Sequence, residues 1–82
     1  MAVLKGGLLL FKENAIGSID GSNTTFTTSF SFVPGTLTVF LNGVEQGISV
    51  DYVEIDLHTF EFVTPPIGGV ESDVVRVQYQ KA

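Results

Sequence analysis

The sequence has no cysteine and no tryptophan, a single histidine, and only four basic residues among 82. Without cysteine it forms neither disulfides nor thiolate metal sites, so its core has to hold by packing or by assembly. Without tryptophan it lacks the strongest stacking platform for sugars. Four basic against nine acidic residues leave a net charge of −5, which repels phosphate backbones and sets nucleic acid aside as a partner. Long apolar runs are missing as well. The run Leu8-Leu9-Leu10-Phe11 lies between Gly6-Gly7 and Lys12-Glu13. It falls short of the roughly 7–15 apolar residues of a signal peptide and the 18 or more of a membrane helix, so neither is expected.

What remains is 44% hydrophobic and 16% charged. That is too apolar for a disordered tail, and under-charged for the surface of a free monomer, which usually carries about 25% charged residues. A chain of this length buries only about 60% of the surface its unfolded form exposes. One domain with an assembly partner is the expectation.

Turn formers recur at short intervals and no stretch holds a 3.6-residue period long enough for a helix, so the class is all-β. Residues 1–18 read as an N-terminal β arm, Ala2 to Lys5 and Leu8 to Lys12 around Gly6-Gly7, and residues 19–82 as the domain proper. The unbroken apolar run of the arm suits a strand buried on both faces, and in so small a protein the second face would lie against another chain. From Asn23 to Phe32 the residues Phe26, Phe30 and Phe32 share parity among Thr and Ser. Val33-Pro34-Gly35 predicts a type II turn. The strand Thr36 to Leu41 then puts Leu37, Val39 and Leu41 on one face and Phe40 on the other. Asn42-Gly43 predicts a type I′ hairpin, whose two central residues need positive φ.

Further strands are expected over Ser49 to Ile55, Thr59 to Val63 and Asp73 to Gln80, with Pro65-Pro66 ending the second. The resulting fold is a small antiparallel β-sandwich or flattened barrel of six to seven short strands. Its core draws on Phe26, Phe30, Leu37, Val39, Leu41, Tyr52, Phe60, Phe62, Val75, Val77 and Tyr79.

Candidate chemistry is sparse. Catalysis usually needs a proton carrier near neutral pH, and His58 beside Asp56 is the one candidate; its plain reading is a solvated turn histidine. Asp51, Glu54 and Asp56 carry oxygens a calcium ion would accept, but they do not share a strand face or an EF-hand spacing. Asp20-Gly21-Ser22-Asn23 reads as an ordinary turn. No catalytic residue, metal or cofactor is expected. Phe11, Phe30, Phe32, Phe40 and Tyr52 include residues facing away from the expected core, and aromatics there favour a protein contact.

The run Ile19-Asp20-Gly21-Ser22-Asn23-Thr24-Thr25-Phe26-Thr27, followed by Val33 to Val44, Val50-Asp51-Tyr52, Phe60-Glu61-Phe62, Pro65-Pro66 and Asp73 to Tyr79, resembles a β module of tailed-bacteriophage virion proteins. Such modules have the form DGxNTxFT, PGxLxVxLNG, xDY, xxxFxxxPP and DxVxVxY, and occur in tail-fibre, baseplate and other virion-surface proteins. The resemblance covers roughly residues 19–80, rests on turn and core residues, and transfers no catalytic residue. It implies a non-enzymatic structural protein of the virion, assembled in the host cytoplasm. Because the module fills most of the chain, a capsid decoration or cement protein is the leading expectation, self-associating (a trimer favoured) and clamping the major capsid protein or other virion proteins. Leu8, Leu9, Leu10, Phe11 and Phe40 are its expected assembly interface. A tail or head-fibre module recognising a host glycan or protein through Ile16 to Ser22, Asn42 to Gly47 and Pro65 to Ser72 is the alternative. Neither nucleic acid nor membrane is expected as a partner.

Overall fold

Two tight turns shape the path of the chain: Asn42-Gly43 reverses it, pairing Leu41 with Val44, whereas across Pro34-Gly35, where a reversal is expected, it keeps its direction, with Phe32 bridging Lys81 and Thr38 pairing with Gln78. Asn42 and Gly43 both take positive φ, 53° and 83°, the signature of the hairpin their pairing predicts. Gly35 takes a φ of 83° after Pro34, and the Thr36 amide donates to the Val33 carbonyl at 3.0 Å. The structure is a computed structural model and describes residues 2–3, 9–68 and 72–82. Its strands are β1 (Ala2–Val3), β2 (Leu9–Asn14), β3 (Thr25–Thr27), β4 (Thr38–Leu41), β5 (Val44–Glu45), β6 (Tyr52–Asp56), β7 (Thr59–Phe62) and β8 (Val75–Tyr79). Among the described residues there is no helix.

The strands form two antiparallel sheets, one ordered β1-β2-β8-β4-β5 and the other β3-β7-β6. The fold is a β-sandwich and not a closed barrel. Val39, Val75, Val77 and Tyr79 from the larger sheet meet Phe26, Tyr52, Phe60 and Phe62 from the smaller in one buried cluster, joined by Phe32 and Leu37. Phe26, Phe60 and Phe62 pack edge-on or stacked at 5.5–6.0 Å. Such pairs add about 0.5–1.5 kcal/mol each to the burial itself. The two sheets are also tied by the Tyr52 hydroxyl, which donates to the Leu37 carbonyl at 2.8 Å.

Three expectations change. Phe30 is 47% exposed and stands outside the core, whereas Phe32 is 1% exposed and belongs to it. Parity fails because β3 stops at Thr27. The Thr28 hydroxyl donates to the Phe30 carbonyl at 2.6 Å, bending the chain. Residues 31–33 then cross to the larger sheet, where Phe32 bridges Lys81. The Ser49–Ile55 strand begins only at Tyr52, because Ser49 at φ 65° and the turn bonds from Val50 and Asp51 to the Gly47 carbonyl keep that stretch out of the ladder. Third, β2 belongs to a sheet of this same chain: Leu10, Phe11 and Glu13 are half-buried within it, and Lys12 and Asn14 exposed. Within the segment set apart as an arm, Phe11 to Asn14 pair against Tyr79 to Arg76 of the domain, and residues 1 and 4–8 lie outside the described residues.

Candidate interaction surfaces

The register of the larger sheet sorts its side chains. Phe11, Glu13, Val39, Val77 and Tyr79 lie on the inner face; Leu10, Lys12, Asn14, Thr38, Phe40, Arg76 and Gln78 lie on the outer. The residues expected to form one assembly interface are therefore divided. Phe11 turns inward, edge-on to Tyr79 at 5.6 Å and to Phe30 at 5.3 Å. Leu10 and Phe40 turn outward, on strands separated by β8. Leu9, at the start of β2, pairs with Val3 of β1, and Leu8 lies outside the described residues. Phe40 walls a shallow depression of about 300 Å³ with Lys12, Arg76 and Gln78. Neither Lys12 nor Arg76 forms an ion pair with a described carboxylate.

On the inner edge, Glu13 is enclosed by donors. The Ser29 hydroxyl donates to it at 2.5 Å, the Ser29 amide at 2.9 Å and the Tyr79 hydroxyl at 2.6 Å. Burial would push this carboxyl up, but these bonds and the Lys81 charge outweigh it and hold Glu13 below the ordinary value. Tyr79 is pushed up to about 12, by burial first and then by its bond to Glu13. Lys81 closes the cluster with its Nζ 4.3 Å from the Phe11 ring centroid and 3.9 Å from that of Phe30. Sequence reasoning passed over Glu13. The signal was available: it shares parity with Phe11 on β2, so an acid falls on an inward face and needs donors.

The described parts of the three loops named for recognition meet at one end, residues 69–71 of the third lying outside the described residues. The Gly21 amide donates to the Pro66 carbonyl at 2.8 Å, and a Cβ placed on Gly68 would stand 2.0 Å from the Ile19 carbonyl oxygen. Asp73 locks the second junction, accepting from the Ile67 amide and the Asn42 side chain, each at 2.8 Å, while Asn42 accepts from the Val74 amide. The Ile67 amide, and then Asn42, hold the Asp73 carboxyl below its ordinary value. Beside this junction lies a depression of about 460 Å³ lined by Val50, Val63 and Ile67 together with Gln46, Asp51 and Asp73. Val50, Val63 and Ile67 are each about two-thirds exposed or more, at 72%, 66% and 65%.

The residues weighed for chemistry serve turns. His58 and Asp56 are both more than half exposed, with Nδ1 3.6 Å from Oδ1. Asp56 caps its own turn by accepting from the His58 amide at 3.0 Å, which holds its carboxyl low. Asp51 accepts from Gly47, and Glu54 from Gly35, so the acids considered for calcium point to separate turns. Among the described residues no group of three or more His, Asp or Glu side chains is placed to hold a metal ion. Asp20 caps the Ser22 and Asn23 amides at 2.9 and 2.8 Å. Compared with protein-family models, with curated proteins and with solved structures, the chain matches none of them.

Proposed function

We propose that the chain is a non-catalytic structural protein of a tailed-phage virion, a capsid decoration protein that associates with itself and with capsid subunits. The observation that carries this reading is the apolar rim of Val50, Val63 and Ile67 around the loop-end depression. Contiguous exposed apolar side chains around a concavity suit a protein neighbour, whose burial of them contributes about 25 cal/mol per Å². Ile67 sits on a loop pinned by Asp73 and by the Gly68 contact, while the Val50 amide donates to the Gly47 carbonyl and the Val63 amide to the Asp51 carbonyl, so little ordering cost attends docking. Chain-level support comes from the virion-module resemblance over residues 19–80.

The same depression favours a second reading, a tail or head-fibre module whose loops recognise the host surface. Val63→Asp together with Ile67→Asp separates the two. For a decoration protein the substitutions abolish incorporation into particles; for a recognition module they leave incorporation intact and abolish binding to host cells. Substituted protein that still incorporates and still binds cells removes the loop end from both readings.

A further inference from the structure

The outward faces of the two sheets carry opposite charge, each as a pair on neighbouring strands. On the larger sheet Lys12 pairs with Gln78, two residues along β8 from Arg76. On the smaller sheet Asp56 pairs with Thr59, two residues along β7 from Glu61. Lys12 and Arg76 thus form a regular diagonal on neighbouring strands, about 7–8 Å apart at the backbone, and Asp56 and Glu61 form a diagonal beside the register shift between Glu54 and Asp56. Apolar side chains flank both: Leu10 and the half-buried Phe40 beside the cations, and Val53 and Ile55, 38% and 55% exposed, beside the acids. Of the four basic residues in a chain of net charge −5, two stand together on this one face.

We propose that the outer face of the larger sheet docks on the outer face of the smaller sheet of a second copy, setting Lys12 and Arg76 against Glu61 and Asp56. This rests on the reading of the chain as a self-associating virion protein, and it names the surfaces. The contact is heterologous, each copy offering a basic face to one neighbour and an acidic face to the next, so repetition closes a ring or extends a row. The smaller sheet has only three strands, which places the contact among the small, weak interfaces of under about 1,200 Å². Glu45, opposite Phe40 on β5, is an acid at the margin of the basic face. It opposes a neighbour's acids and makes the two cations necessary.

Head and tail variants test this directly. Lys12→Glu/Arg76→Glu destroys the basic face and keeps the acidic one. Glu61→Lys/Asp56→Asn does the reverse, and its second substitution keeps a side-chain oxygen to accept from the His58 amide. By sedimentation velocity up to about 1 mM, the unaltered protein is expected to associate with increasing concentration. Each folded variant alone is expected to stay monomeric, its association weakened at least about tenfold. Mixed in equal amounts the two are expected to recover association, because the intact basic face of one meets the intact acidic face of the other. Circular dichroism establishes folding, and the milder Lys12→Gln and Glu61→Gln replace any variant that fails that check. An unaltered protein that is monomeric throughout, variants that associate as it does, or a mixture that does not pair overturns the proposal. A monomer that still incorporates into particles overturns this contact and leaves the decoration reading standing.

Discussion

Tyr79 and Glu13, 66 residues apart in the chain, share a hydrogen bond of 2.6 Å between the neighbouring strands β8 and β2. Ser29 completes the shell around Glu13, so one carboxylate ties β2, β8 and the bend after β3 together. Because folding lowers the Glu13 carboxyl below 4.5, the ionised group stabilises the fold above that value. The contribution is lost as pH falls through the lower, folded-state value. Thermal midpoints of the unaltered protein are expected to drop on acidification below about pH 4.5, and to drop less in Glu13→Gln. Parallel curves for the two proteins contradict the role assigned to Glu13.

The same bond has an alkaline counterpart. Folding raises the Tyr79 hydroxyl to about 12, so the unfolded chain loses this proton first. Stability from Tyr79 is fully present below about 10 and disappears as pH rises through about 12. Tyr79→Phe is expected to cost about 1.5–3 kcal/mol at neutral pH, as the loss of a bond to a charged acceptor does, and to flatten the decline above pH 10. Denaturant unfolding across that range checks both.

The two phenylalanines that parity assigned together separate in energy. Phe32→Ala empties a site that is 1% exposed and is expected to cost about 3–5 kcal/mol. Phe30→Ala removes one edge-on ring contact and one cation–π contact at a half-open site and is expected to cost about 1–2 kcal/mol. Equal losses in chemical unfolding contradict the bend at Thr28.

Gly68 is required by its neighbour's backbone. A methyl group there meets the Ile19 carbonyl oxygen at 2.0 Å, so Gly68→Ala forces the loops apart. A loss of about 1–3 kcal/mol is expected. Amide exchange at Gly21, which donates to Pro66, is expected to quicken with it. Unchanged exchange at Gly21 removes the link between these loops.

What the sequence disclosed was local. Asn42-Gly43, Pro34-Gly35 and the alternation of Leu37 with Val39 or Val75 with Val77 are written within a few residues, because turn φ values and strand period are short-range properties. What it hid was pairing. Nothing near Phe11 says that Tyr79 lies beside it, yet that register turns Phe11 inward while Phe40, also proposed for assembly, turns outward. Nor does the run Phe26 to Phe32 announce that Thr28 will spend its hydroxyl on a bend. The convergence of three loops at one end was expected only in name, and the Asp73 and Gly68 contacts that produce it span far-separated residues.

The most direct test of the central claim is co-sedimentation of the purified protein with capsids that lack it, with bound protein quantified per capsid. Saturable binding, lost with Val63→Asp/Ile67→Asp, is the result expected of a decoration protein. Protein that stays in the supernatant at concentrations where it is folded contradicts the claim.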